Sequence, residues 1–252
     1  MTRRLKLFAS HACISAALVG TVAAIVLLVW YPYPLFSLQG AVVILALVAF
    51  VDVVIGPLIT LIVASPKKGS AELVRDLAII GIVQFAALTY GAHSLFVARP
   101  AFIVFNADRF DCVVANELVA MAELPYRNPR FMTAPLFGPV WVAAFPPDAA
   151  QEREKLLFAA IQGGPDIKDI PALYEEWPPK RGVKVDKLKP LSELMRTSSE
   201  GNQAGLAATR TSGLPENELA YLPIVGREKI GVVILNRNTL SVLYVSDVAP
   251  RY

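Results

Sequence analysis

Histidine is scarce in this chain, and none follows His93. A Ser-His-Asp triad or a histidine-ligated metal site is therefore excluded from everything beyond that residue. Cysteine is equally rare. Cys13 and Cys112 stand alone, with no CxxC neighbour, so there is no zinc signature and no disulfide framework. No GxGxxG, P-loop, HExxH or GxSxG motif occurs. Acidic residues are nearly missing from the first part. Residues 1–99 hold only Asp52, Glu72 and Asp76 against seven Lys/Arg, whereas residues 100–252 hold eighteen acids and seventeen bases. The basic balance thus belongs to the N-terminal part and reports membrane topology rather than nucleic-acid binding.

What the sequence has in excess is apolar residues, 55% of the chain. They form three runs, at about residues 8–30, 40–64 and 77–98, each near the ~20 residues that cross a bilayer as a helix. The expected architecture is an N-terminal membrane domain, residues 1–99, with three transmembrane helices. A small α+β extracytoplasmic domain, residues 100–252, follows. The first run follows "RRLK" but has no small-residue cleavage site, which reads as a retained signal anchor. Arg3, Arg4 and Lys6 precede the first run, and Lys67, Lys68 and Arg75 lie between the second and third. The connection "YPYPLFSLQ" has no charge. Cations stay cytoplasmic, so the N-terminus is expected in the cytoplasm and residues 100–252 outside it, in the periplasm of a Gram-negative cell. Trp30, Tyr31 and Tyr33 read as an aromatic cluster at the outer interface.

Each run carries one stripe of small or polar residues at helical spacing: Ala12, Ala16, Gly20 and Ala24; Ala49, Asp52, Gly56 and Thr60; Gln84, Ala87, Gly91, Ser94 and Ala98. The stripes would hold a three-helix bundle together, or leave part of a surface open for a helix of another protein. Asp52 is costly at mid-span, by ~2.5–3.5 kcal/mol on insertion scales, unless protonated or partnered. Pro57 lacks an N–H, and an α-helical register would orphan the Val53 carbonyl beside it. Asp52, Gly56 and Pro57 therefore read as a polar notch inside the membrane. Its three readings are a packing bond from Asp52 to Gln84 or to the first helix, a docking point for a partner's cation or donor, and a proton-linked site. His11 and His93 read as packing or interfacial residues.

In the second part, strands are expected at about Ala101–Phe105, Phe110–Val114, Gly138–Phe145, Leu222–Val225, Ile230–Leu235 and Leu240–Ser246. Turns are expected at Asp108-Arg109 and "NRNT". A helix follows "PPD", capped by Asp148 with Gln151 and apolar at Leu156, Leu157, Ala160 and Ile161. "GPDIKDIPALYEEWPPKRG" reads as a Pro-rich loop and "PLSELMRTS" as a short helix with Pro190 in its first turn. "EGNQAGLAATRTSG" has weak helical content. Glu175-Glu176 reads as a solvated pair rather than an acid/base dyad, Cys112 as a buried strand residue, and Lys180–Lys189 as a solvated basic loop. No catalytic, cofactor-binding or metal residue is assigned.

The chain resembles the TfpX/TfpZ-type type IV pilin accessory proteins, also called FimB-like. The stretches that carry this are "RRLKLF", "VWYPYPLF", "VDVVIGPLITLIV", "ELVRDLAIIGIVQFAALTYG", "ARPAFIVFNADRFDCVVANEL", "LLFAAIQGGPDIKDIPALY" and "LPIVGREKIGVVILNRNT", in order along the chain. The resemblance implies a non-enzymatic inner-membrane helper that modulates pilin stability, pilus assembly, or extension and retraction. The implied partners are the major type IV pilin and membrane lipids. Further copies of the chain are an option left open, and no nucleic acid or cofactor is implied. The residues offered for partner binding within the membrane are Asp52, Gly56, Pro57, Thr60, Gln84 and Gly91. The alternatives are a membrane-anchored periplasmic enzyme acting on envelope substrates, using Cys112 or the Glu175 pair, and a small ion-coupled transport subunit using Asp52.

Overall fold

The computed structural model describes residues 3–66, 68–121, 124–180, 183 and 187–250. The chain forms two compact units, Met1–Val29 with Ala41–Val97, and Trp30–Gly40 with Ala98–Tyr252.

The first unit is helical because its sequence is a succession of apolar runs with little to interrupt them. Helix α1 spans Arg3–Ile25 and runs on through a π turn, Val26–Trp30. After α2, Leu35–Leu38, which belongs to the other unit, α3 covers Ala41–Ala49. A π turn at Phe50–Ile55 then leads into α4, Gly56–Val63. Helix α5 is Ser70–Val97. Two rods, Arg3–Trp30 and Ala41–Val63, are long and apolar enough to cross a membrane. They are not buried core helices, since Leu28, Val43 and Ile62 all stand more than 70% exposed. Exposed side chains of this kind need an apolar solvent or a partner. Helix α5 also presents Ile82, Val83 and Phe85 outward.

The second unit is an α+β domain on one curled, mixed sheet. Its strands are β1 Pro100–Asn106, β2 Arg109–Val114, β3 Val140–Ala144, β4 Tyr174–Glu176, β5 Lys189–Pro190, β6 Leu219–Val225, β7 Ile230–Asn236 and β8 Val242–Ser246. The order is β4-β3-β1-β2-β6-β7-β8, with β5 also on β6. Strands β1 and β3, and β2 and β6, run parallel; the other pairs are antiparallel. Alternation along the strands gives two buried faces. Ile103 and Phe105 join Phe110, Leu222, Ile224 and Val233 on one. Phe102 and Val104 join Phe131, Val142 and Tyr174 in a second cluster. Helices α7 (Leu191–Thr197) and α8 (Ser199–Ser212) close a third cluster over Leu219, Tyr221, Val232 and Ile234.

Several details differ from expectation. The first hairpin turns at Ala107-Asp108, since Asn106 pairs with Arg109, and Ala107 takes φ 59°. Helix α6, Ala150–Ile161, is preceded by Ala149, which has no side chain to cap with, so Asp148 lies one residue too early. Of its expected apolar face only Leu156 is buried, while Leu157 and Ile161 are exposed. The four positions span about 140° of the helix, and only the edge that holds Leu156 meets the cluster of Leu124, Ile170 and Leu173. The supposed Pro-rich loop contains two 3-10 turns and β4. Pro190 caps α7 from outside its first turn. "EGNQAGLAATRTSG" is a full helix, α8: the Ser198 Oγ accepts from Gly201 N at 2.9 Å, and Gly213 ends it at φ 68°. Half of the basic stretch Lys180–Lys189, residues 181, 182 and 184–186, falls outside the described residues.

The largest departure is Trp30–Gly40. The sequence suggests a plain interfacial connection; the structure makes it a strap across the sheet domain. Leu35 and Leu38 are buried with Leu222, Ile224 and Val233. The Leu38 carbonyl accepts from Glu228 N (2.9 Å) and Lys229 N (3.2 Å). Gln39 Nε2 donates to the Cys112 carbonyl at 3.2 Å, and Tyr31 Oη to the Ala98 carbonyl at 2.8 Å. Tyr31 is therefore buried, not interfacial, while Tyr33 is exposed and donates to Asp247 Oδ1 at 3.3 Å.

Candidate functional site

The polar residues of the helical unit converge on the rod α3–α4. Pro57 sits in the first turn of α4 and has no N–H to give. The preceding π turn changes which carbonyl this leaves bare. Gly56 N bonds to Val51 O, five residues back, so the carbonyl facing Pro57 is that of Asp52, not Val53 as an α register implies. Gln84 of α5 supplies the missing donor: its Nε2 reaches Asp52 O at 3.0 Å and Asp52 Oδ1 at 3.3 Å. Gly56 lies beside it, and a Cβ there would overlap the Gln84 amide and displace it from Asp52. Gly91 plays the same part further along, where a Cβ would overlap Val48. Thr60, 1% exposed, faces α1, and its Oγ1 lies 2.6 Å from His11 Nδ1. Arg4 Nε donates to the Ala64 carbonyl at 2.7 Å, tying the start of α1 to the end of α4.

All six residues singled out from sequence thus lie on internal contacts of the unit. Asp52, Gly56, Pro57, Thr60 and Gly91 are buried, and Gln84 is partly so. The small stripe of α1 behaves otherwise. Ala16, Gly20 and Ala24 are exposed, a Cβ at Gly20 meets nothing within 4 Å, and α1 instead buries Ser15 and Val19.

Helices α1 and α5 each pack on the α3–α4 rod and hardly on one another. Between them lies a cleft of about 190 Å³, walled by Ile14, Leu18 and Val19 of α1 and by Gly81, Phe85 and Leu88 of α5. His11, Asp52 and Gln84 form its polar part. Small-molecule sites run to about 300–1,000 Å³, so this cleft is smaller than an ordinary ligand pocket. Two oxygens at its floor, Asp52 Oδ2 and Gln84 Oε1, are buried without a hydrogen-bond partner among the described residues. Asp52 itself is 3% exposed. Sequence reasoning found the floor, but it missed His11, Leu18, Gly81 and Phe85. Their helical phase is readable, but which helix pair stays apart is not.

The sheet domain holds the other chemistry-bearing residues. A cavity of about 560 Å³ is lined by Arg127, Asn128, Asp148, Glu175, Glu176 and Lys180 among others. The two glutamates bind different arginines, Glu175 to Arg127 Nη1 and Glu176 to Arg130 Nη1, each at 3.3 Å. Arg127 also donates to the carbonyls of Pro146 (2.8 Å) and Leu173 (3.4 Å), so it knits three segments together. Cys112 does not line this cavity. It packs against the cluster around Phe110, and burial pushes its thiol up to about 12, a poor starting point for a nucleophile. Asp111 is 5% exposed, and burial raises its carboxyl above the usual carboxylate range, opposed by Arg109 at 3.2 Å. Among the described residues no three His, Cys, Asp or Glu side chains are grouped to hold a metal.

Comparison with known proteins gives a consistent set of relatives. Residues 1–40, which cover α1 and the strap, match the family described as "Fimbrial assembly protein FimB". The chain is 28% identical over 235 residues to the fimbrial assembly protein of serogroup I from Dichelobacter nodosus, covering 92% of this chain and 91% of that one. The serogroup E1 protein of that organism matches over the same shares at the same identity. The protein of serogroups C1 and C2 is 30% identical over 120 residues, 48% of this chain and 91% of its own length. No solved structure matches.

Proposed function

The chain belongs to the fimbrial assembly protein family, and we propose that it serves pilus biogenesis as a membrane-embedded, non-enzymatic holder of pilin, of the TfpX/TfpZ accessory type. One observation carries the reading: the cleft between α1 and α5, apolar on its walls and polar at its floor. An unassembled pilin of the type IV class presents an apolar N-terminal helix in the inner membrane and a periplasmic head. The cleft offers the helix a seat, and on this reading the sheet domain contacts the head.

Topology supports this arrangement. The strap Trp30–Gly40 and residues 98–252 form one unit, which supports a layout with both on one side of the membrane. The rod Ala41–Val63 leaves that side, and the chain must return before residue 98. Helix α5 is the segment available for the return, which makes three crossings. Arg3, Arg4, Lys68 and Arg75 then lie together on the opposite, cytoplasmic side, and the sheet domain is periplasmic. The envelope-enzyme alternative needs a reactive group in a polar pocket. The thiol of Cys112 sits outside the polar cavity, and both glutamates there are engaged by arginines.

The test is photo-crosslinking in piliated cells. A photoreactive residue at Leu18 or Phe85, on the cleft walls, is expected to give pilin adducts. The same residue at Val43 or Ile62, exposed elsewhere on the α3–α4 rod, is expected to give few. Adducts only with lipid, or equal yields from all four positions, would refute helix docking.

A further inference from the structure

The cleft floor specifies the chemistry of what enters it. Asp52 Oδ2 and Gln84 Oε1 are both hydrogen-bond acceptors, both buried, and both without a donor among the described residues. The donor that Gln84 possesses is already spent on Asp52 O and Oδ1. His11 lines the same cleft, but its Nδ1 is directed to Thr60 Oγ1. An acid deep in an apolar unit is normally paired, and one oxygen of this one is not. Two adjacent acceptors on a carboxylate-bearing floor call for a group that is rich in hydrogens and positively charged. The apolar walls at Leu18, Val19, Phe85 and Leu88 suit a long aliphatic stem.

From this charge complementarity we infer that the cleft recognises a partner's transmembrane segment by an ammonium group. The group is carried on a lysine-type stem, enters between α1 and α5, and is received by Asp52 Oδ2 and Gln84 Oε1. The inference rests on the docking reading above and adds the group that is recognised. A ring of aliphatic contacts alone would hold any apolar helix; the floor makes the site selective, because an ammonium left unpaired in lipid is costly and one seated on a carboxylate is not.

The experiment uses the full-length protein in nanodiscs and synthetic transmembrane peptides. These have a Leu/Ala host sequence with lysine, serine or leucine at the centre, and binding is read by energy transfer. The lysine peptide is expected to bind at least tenfold tighter than the leucine peptide. Asp52→Asn, which keeps the Oδ1 acceptor for Gln84, is expected to abolish that preference without shifting the melting temperature. Asp52→Glu is expected to restore part of it. Equal binding of lysine and leucine peptides would overturn the inference, as would a lysine preference that survives Asp52→Asn. A serine peptide binding as well as lysine would also overturn it, by showing that hydrogen bonding without charge suffices. If the peptides show no selectivity while Leu18 still crosslinks to pilin, the ammonium inference fails and the docking reading stands. If the crosslinks are missing too, both fail.

Discussion

Replacing Leu38 with alanine removes the centre of the strap from the core of the sheet domain. Leu38 is fully buried, against the cluster that holds Leu222, Ile224 and Val233. A buried Leu→Ala change costs about 2–5 kcal/mol, the transfer of the lost carbons plus the cavity left behind. Taking about 3 kcal/mol, and about 2–4 °C per kcal/mol for a unit of this size, the domain is expected to melt about 6–12 °C lower. Trp141 and Trp177 pack against the same cluster, so intrinsic fluorescence of the detergent-solubilised chain reports the transition. Leu28→Ala is the control, since Leu28 is 77% exposed and its loss opens no cavity. A second arm avoids side-chain truncation altogether. In Gly226→Ala the new Cβ would overlap the Leu38 carbonyl, the acceptor for Glu228 N and Lys229 N, so the strap must shift and a comparable loss is expected. If both variants melt within a degree of the Leu28→Ala control, the strap is not part of the domain core. The argument that residues 30–40 and 98–252 share one side would then lose its basis.

Three further outcomes follow from the sheet domain. Burial raises the Asp111 carboxyl, so this group's contribution to stability is present below its unfolded value of about 3.9 and lost as pH rises through the folded one. Asp111→Asn should therefore melt higher than the parent at pH 7, with the gain shrinking toward pH 4; an equal gain at both pH values would contradict this. In a Cys13→Ala background Cys112 should resist iodoacetamide at pH 8 while folded and react in urea, and Cys112→Ala should leave piliation intact; loss of piliation would revive the enzyme reading. Arg127→Met removes the 3.3 Å ion pair to Glu175 and the guanidinium hydrogen bonds to the Pro146 and Leu173 carbonyls, which should cost on the order of 2 kcal/mol by denaturant titration; a change under a few tenths would mean the arginine is not structural.

How much of this was readable in advance depends on what kind of residue carries the burial. The main strands were legible because β1, β6 and β7 are runs of large apolar residues bounded by turns, and only their ends moved. Helix α8 was not, because its buried face is Gly201, Ala204, Gly205 and Ala208. Small residues leave no hydrophobic period, yet they let the helix lie close on Leu194 and Met195. The strap was invisible for another reason: three leucine and phenylalanine residues among prolines carry no periodicity, and only the sheet gives Leu35 and Leu38 somewhere to go. At the candidate site the acid, the proline and the glycines were evident from composition. The π turn that moves the bare carbonyl from Val53 to Asp52 was not, since no sequence period marks a one-residue change of register. The separation of α1 from α5, which makes the cleft, is a packing outcome that stripes alone do not encode.

Filling the cleft without disturbing the fold tests the central claim most directly. Gly81 lines the cleft, and a Cβ there meets nothing within 4 Å, so Gly81→Phe adds a ring to the space while leaving the helices their present contacts. Gly20 on the exposed stripe of α1 is equally open and outside the cleft, so Gly20→Phe is the matched control. With both variants present in the membrane at parental levels, surface pili counted in a strain lacking the native gene should be lost with Gly81→Phe and kept with Gly20→Phe. Normal piliation by Gly81→Phe, or an equal loss from both, would contradict the account.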